Sequence, residues 1–260
     1  MITYQATEKL KELESEKFSC KISSHKFDKD SGTGTIIFKE ELEAIHGDAF
    51  LNCKELLAIT LPDSVKEIGD YAFAGCDSLG EVALPLYLNS IGSYLFSNCI
   101  KLQSITIPEG VTCVGMSAFS NCTSLSAVKI PGSVMQVSSF AFAQCSSLSS
   151  VTFAYGLRSI NSGAFKDCVK LSTIELPNSV STIAEDAFVG CMSLKNLTIG
   201  STLNQIGDVI QDEDGGKHYG LHSSYCAGYP DWDFTVYVPK QALQTYKALK
   251  EWKEVPLSTF

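Results

Sequence analysis

The sequence predicts a repeat solenoid with one parallel β-sheet face, an N-terminal cap and a C-terminal helical cap. Three observations carry that expectation. Phe50, Phe73, Phe96, Phe119, Phe142, Phe165 and Phe188 stand 23 residues apart. Cys53, Cys76, Cys99, Cys122, Cys145, Cys168 and Cys191 keep the same interval, as do Leu56, Leu79, Leu102, Leu125, Leu148, Leu171 and Leu194. A fixed short period marks a stack of equal rungs, because a single unit of this length has too little partner surface to bury its own apolar face.

The elements follow in chain order. Residues 1–35 form the N-terminal cap; most of this stretch matches no part of the repeat and is polar. Residues 36–206 form the stack, one half rung plus seven full periods. The half rung is visible on register, since Ile36, Phe38, Leu42 and Ile45 fall 23 residues before Ile59, Leu61, Val65 and Ile68. Within a rung, Ile59-Thr60-Leu61 alternates in, out and in, the period of a strand with one buried face. The triplet returns as Val82-Ala83-Leu84, Ile105-Thr106-Ile107, Val128-Lys129-Ile130, Val151-Thr152-Phe153, Ile174-Glu175-Leu176 and Leu197-Thr198-Ile199. Pro62, Pro85, Pro108, Pro131 and Pro177 end the strand, having no N–H to continue a ladder. Val65 and Ile68 suit a tight bend with a second inward pair. Gly69, Gly92, Gly115 and Gly207 are read as supplying positive φ for the next turn. An Ala-Phe pair then plugs the wide end. Leu95 replaces the small residue there, so its rung is expected to be distorted.

Leu-x-x-Ile-x-Leu-Pro-x-x-Val-x-x-Ile-Gly-x-x-Ala-Phe-x-x-Cys, as written from Leu56 to Cys76, resembles the BspA-like class of leucine-rich repeat. The likeness extends from Ile45 to Ile206. The position that plain leucine-rich repeats fill with Asn or Cys holds Ser64, Tyr87, Gly110, Ser133, Gly156, Ser179 and Thr202. The resemblance implies bacterial proteins, surface-exposed or secreted, that bind host or microbial partners.

After the last rung the pattern breaks. Pro239 follows Gly200 by 39 residues, so 16 have been added to one period. The insertion, residues 207–235, holds six acids against one Lys, together with His218, Tyr219, His222, Tyr225, Tyr229 and Trp232. Aromatic side chains beside charge suit a recognition loop; the plainer alternative is a loop whose rings cover the last rung. Residues 236–260 resume the strand at Val236 and Val238. Ala242, Leu243, Tyr246, Leu249 and Trp252 then form an apolar helical stripe that should close the core.

The net charge is −9, distributed as −2 over 1–44, −4 over 45–206, −5 over 207–235 and +2 over 236–260. No basic footprint for nucleic acid is present. No apolar run approaches the ~20 residues of a membrane helix, so direct membrane insertion is not expected. The ten cysteines contain no Cys-x-x-Cys pair. A disulfide ladder and a column of buried thiols are the two readings, and seven members cannot all pair. His218 and His222 lie four apart near Asp212 and Asp214, but Gly215, Gly216 and Gly220 oppose the helix such a metal pair needs. No metal, cofactor or catalytic residues are expected.

These readings point to a non-enzymatic binding or adhesion module that recognises a protein or glycan partner and is itself a monomer. Candidate partner-binding residues are Tyr219, His222, Tyr225, Tyr229 and Trp232 in the insertion, Tyr87 and Tyr155 at the turn after the strand, and Lys129 and Glu175 on the sheet face. The acidic insertion favours a partner with a basic patch. The start is no signal peptide, since residues 8–17 carry four Glu and three Lys where an apolar segment would lie. A surface or extracellular location therefore requires a leader preceding residue 1. The alternative is a cytoplasmic protein-interaction scaffold.

Overall fold

The computed structural model describes residues 1–11, 13–184, 186–201, 205–206, 210–211, 217–218, 235–248 and 257–260. The chain forms a β-solenoid. Its main face carries the strand triplets as parallel ladders, with Ser104–Thr106, Ala127–Ile130 and Ser150–Phe153 side by side in 23-residue register. Thr173–Glu175, Asn196–Thr198 and Thr235–Val238 continue it. The 16 added residues therefore leave the register of the last strand intact: Leu197 still faces Val236. The in-out alternation holds, with Ile105, Val128, Val151, Ile174 and Leu197 buried and Thr106, Lys129, Thr152 and Glu175 exposed.

A second parallel ladder runs down the stack from the bend. Cys113–Val114, Gln136–Val137, Ser159–Ile160, Thr182–Ile183 and Gln205–Ile206 pair in sequence. The inward pair read from Val65 and Ile68 is thus partly a strand: Ile68 lies in Glu67–Ile68, which pairs with Ala44–Ile45.

Phe rings and thiols fill the core. From Phe50 to Phe188 consecutive rings stack with centroids 5.0 to 5.6 Å apart. Each such pair adds about 0.5–1.5 kcal/mol beyond its buried area. Each buried thiol donates to the Phe carbonyl of the rung before it: Cys76 to Phe50 at 3.0 Å, Cys122 to Phe96 at 3.1 Å, Cys191 to Phe165 at 3.1 Å. That same carbonyl accepts the backbone N–H of the Cys in its own rung, as Cys53 to Phe50 at 3.1 Å. A carbonyl has two lone pairs, and the column uses both. This explains why a thiol suits the site: it packs as a small apolar group and still carries one weak donor. Cys53, Cys76, Cys99, Cys122, Cys145 and Cys168 are thiols without disulfides.

One expectation is corrected. Gly69, Gly92 and Gly115 do not have positive φ. They allow adjacent rungs to touch, since a Cβ on Gly69 would meet the backbone of Gly47, and one on Gly115 the carbonyl of Ile91 at 2.7 Å. Gly207 lies outside the described residues. Positive φ falls two positions later, at Asp48, Tyr71, Tyr94, Ser117, Phe140, Gly163 and Asp186, and again at Asn52, Gly75, Asn98, Asn121, Gln144, Asp167 and Gly190. Glycine is needed where backbones approach, while the left-handed turn is made by whichever residue the ladder holds there.

The rung bearing Leu95 loosens only mildly. Leu95 is fully buried. Ring planes tilt by 16° between Phe96 and Phe119, against 3° between Phe142 and Phe165. The second ladder shrinks there to an isolated bridge between Ile91 and Val114.

The N-terminal end is built differently. Strand β1 (Ile2–Ala6) runs antiparallel between β3 (Thr33–Phe38) and the first repeat strand, Leu56–Thr60. β3 therefore does not pair with Leu56–Thr60, although it shares its period. β2 (Ile22–Asp28) forms a hairpin with β3 and supplies the outer strand. At the other end, the helix Leu243–Ala248 buries Tyr246, whose hydroxyl donates to the Gly200 carbonyl at 2.6 Å. Leu257–Thr259 then adds a last parallel strand beside Thr235–Val238. No described helix is long and apolar enough to cross a membrane.

Candidate functional site

Because the repeated positions are consumed by packing, any site must use the positions that vary. Three surfaces offer them. The first is the main sheet face, where Thr60, Ala83, Thr106, Lys129, Thr152, Glu175 and Thr198 form an outward row. Lys129 and Glu175 stand on this row with Thr152 between them, about 9.6 Å apart along the stack from the usual strand spacing. Lys129 pairs with Glu109 at 3.5 Å, both side chains being largely exposed. Such a pair is worth little and leaves both groups available to a partner. Shallow cavities open over the sheet; one of about 340 Å³ is lined by Ser150, Thr152, Thr173 and Glu175. Another, of about 230 Å³, lies where β1 meets the first rung, beside Thr3, Gln5 and Thr60. Each is walled by hydroxyls and one carboxylate, Glu175 in the first and Glu81 in the second, with apolar side chains such as Val151 and Ile59 among them.

The turn after the strand is the second surface. Tyr87 and Tyr155 are 71% and 77% exposed, among the most open large side chains of the chain. They occupy neighbouring columns three rungs apart, so the fold does not bring them together. Leu86 stands beside Tyr87 and is 66% exposed. The residues expected in the insertion, Tyr219, His222, Tyr225, Tyr229 and Trp232, lie outside the described residues. Within residues 207–235 the backbone of Ile210–Gln211 pairs antiparallel with Lys217–His218.

The third surface was not foreseen. Tyr71 and Tyr94 stack with centroids 4.6 Å apart and planes 4° from parallel. The Tyr94 hydroxyl meets the Met116 sulfur at 3.4 Å. Phe140 lies over Gly163 of the next rung. Tyr71, Tyr94 and Met116 touch in turn over three consecutive rungs, and Phe140 follows on the next, just before the Phe plug. The signal was present in the chain: Tyr71 and Tyr94 are one period apart, at positions held elsewhere by Asp48, Ser117, Gly163 and Asp186.

The titratable groups argue against thiol chemistry in the core. Burial pushes the Cys99 and Cys145 thiols up to about 12. Cys53 reaches about 12 through burial, with Glu55 adding to it. A thiol held protonated is a poor nucleophile and a poor metal ligand. Among the described residues no group of three or more His, Cys, Asp or Glu is placed to hold a metal ion. In the cap, the Tyr4 hydroxyl and His25 Nε2 are 2.7 Å apart, and burial lowers the His25 pKa, with Lys9 contributing.

Comparison with known proteins agrees with the geometry. The family model for the BspA type leucine rich repeat region matches residues 3–126 and 112–210, in six copies. A leucine-rich repeat protein from Eubacterium ventriosum is 36% identical over 55% of this chain and 39% of its own, with a TM-score of 0.52. One from Bacteroides ovatus is 21% identical, covering 92% of this chain and 75% of its own, with a TM-score of 0.51. The T. pallidum leucine-rich repeat protein is 26% identical over 76% of this chain and 86% of its own, at a TM-score of 0.47. No curated protein matches the chain.

Proposed function

From the premise that this chain belongs to the BspA-type leucine-rich repeat family, we propose that it is a non-enzymatic adhesion module that recognises a protein or glycan partner at a bacterial cell surface. The carrying observation is the division of positions. The Phe, Leu and most of the Cys columns are buried, so the frame is rigid and uniform, while what changes from rung to rung is displayed outward. A uniform frame with variable outward positions is how solenoids make extended binding surfaces. Repeats of this type suggest interaction or adhesion and are generally non-enzymatic, and proteins that carry them are typically found at bacterial surfaces.

The thiols do not weigh against an oxidising location. A buried thiol held up to about 12, as at Cys99 and Cys145, has almost no thiolate with which to form disulfides. The surface reading and a free-thiol core are therefore compatible.

The insertion at 207–235 supplies specificity in this reading, since it alone combines several aromatics with a charge of −5. Its partner carries a basic patch, and association slows as salt rises. Capture of a partner from host extracellular or bacterial surface fractions, with and without residues 208–235, tests this. Loss of capture with an unchanged thermal midpoint is expected, because rungs contact only their neighbours. Undiminished capture places the site on the sheet face or the cap instead.

A further inference from the structure

The turn ladder before the Phe plug holds bulky residues where the backbone disfavours them. Tyr71 (φ 59), Tyr94 (φ 57) and Phe140 (φ 58) occupy the left-handed region. Residues with a large side chain avoid it. The same column elsewhere uses Asp48, Gly163 and Asp186, which tolerate it better. Burial repays the conformation only in part, since Tyr71 is 41% and Phe140 40% exposed and Tyr94 is half-buried. The turns are held by rung-to-rung bonds instead: Tyr71 N–H to Ser93 O at 3.1 Å and Tyr94 N–H to Met116 O at 2.8 Å. Strain of this kind kept at a surface points to a use outside the fold.

The stack has a polarity. One face of Tyr71 is covered by Tyr94. One rung earlier the same position holds Asp48, so no ring of this ladder covers the other face. Asp70 precedes Tyr71 and is locked in place, its carboxylate accepting the Ser93 N–H at 2.7 Å. An aromatic face beside two carboxylates attracts a guanidinium or ammonium group, which gains both ring and charge contacts.

We infer that the N-terminal end of this ladder binds an arginine or lysine side chain on an extended segment of a protein partner, with Tyr71 offering its ring face and Asp48 and Asp70 their carboxylates. The inference rests on the reading of the protein as a binding module and names a second contact for its basic partner, far along the chain from the insertion. Met116 and Phe140 lie further along the stack for the rest of the segment.

The test titrates the full chain with a synthetic peptide of alternating arginine and serine, and with a matched peptide of alternating citrulline and serine. Tyr71→Asn/Tyr94→Asn leaves the net charge unchanged and places Asn where positive φ suits it. It should weaken the arginine peptide by about tenfold while the thermal midpoint does not fall. Asp48→Asn should weaken it less, and Met192→Ser, at an exposed apolar side chain near the far end of the stack, should change nothing. Equal affinity of the wild type and the tyrosine pair, or equal binding of the citrulline peptide, overturns the site. If deleting 208–235 abolishes capture of a natural partner while the tyrosine pair leaves the arginine peptide unmoved, this site is wrong and the wider reading stands.

Discussion

The interior of the stack and its N-terminal end solve the same problem by opposite means. In the interior, each rung is covered by a copy of itself, so Phe meets Phe and Cys meets the carbonyl of the previous Phe. At the N-terminal end the first repeat strand is covered on one side by something other than a copy of itself. The chain inserts β1 antiparallel against Leu56–Thr60, and Tyr4 takes over the work that repetition does elsewhere. Its ring lies over Gly34, stacks with Phe27 at 6.2 Å and meets His25 through its hydroxyl. Repetition makes a core cheap to specify; ending it takes residues chosen one by one.

The comparison can be broken at its strongest point first. Phe119→Ala empties the centre of the ring column, where two neighbours stack at 5.5 and 5.1 Å. A loss of about 3–5 kcal/mol is expected in urea unfolding. A smaller loss than for cap variants would mean that the column is not the main source of stability.

In the cap, Gly34→Val places a side chain where the Tyr4 ring now lies. Overpacking there should cost about 1–3 kcal/mol. Because rungs contact only their neighbours, the loss should appear as early exchange of amides in β1 to β3, with protection retained around Phe142. Uniform loss of protection along the chain would show a single cooperative unit.

The two regions should also answer pH in opposite directions. His25 has a lowered pKa when folded, mainly from burial. Its contribution is present above about pH 6.5 and is lost as pH falls through the folded value. The thiols have raised pKa values, about 12 at Cys99 and Cys145. Their contribution is complete below the unfolded value of about 8.5 and is lost as pH climbs from there. Thermal midpoints measured across this range should fall at both ends, and His25→Gln should flatten the acid side only. In the native state a thiol reagent should modify Cys20 and Cys113, which are only partly buried, well before the column from Cys76 to Cys168. Early modification of Cys122 would refute the sealed core.

The smallest effect belongs to the outward row. Thr106→Ala removes an exposed side chain from the main face and should shift stability by no more than about 0.5 kcal/mol. A loss comparable to Phe119→Ala would reverse the assignment of faces.

Most of what repeats was legible in the chain. The Phe, Cys and Leu columns, the in-out triplets and the end of each strand at Pro62 and its counterparts follow from one 23-residue period, because stacked neighbours are neighbours in register. What does not repeat was hidden. Ile2 faces Ile36, and Tyr4 faces both Gly34 and Ile59, with no spacing in common. The left-handed turns at Tyr71 and Tyr94 were masked by glycines two positions earlier, whose purpose is close backbone approach. The Tyr71–Tyr94 pair could be located by period alone, but its stacking and the uncovered ring face beside Asp48 are matters of side-chain direction. A sequence determines such a stack as far as like lies on like; at the ends, and wherever a surface residue turns outward, only the packed chain decides, because those contacts join positions that no local period relates.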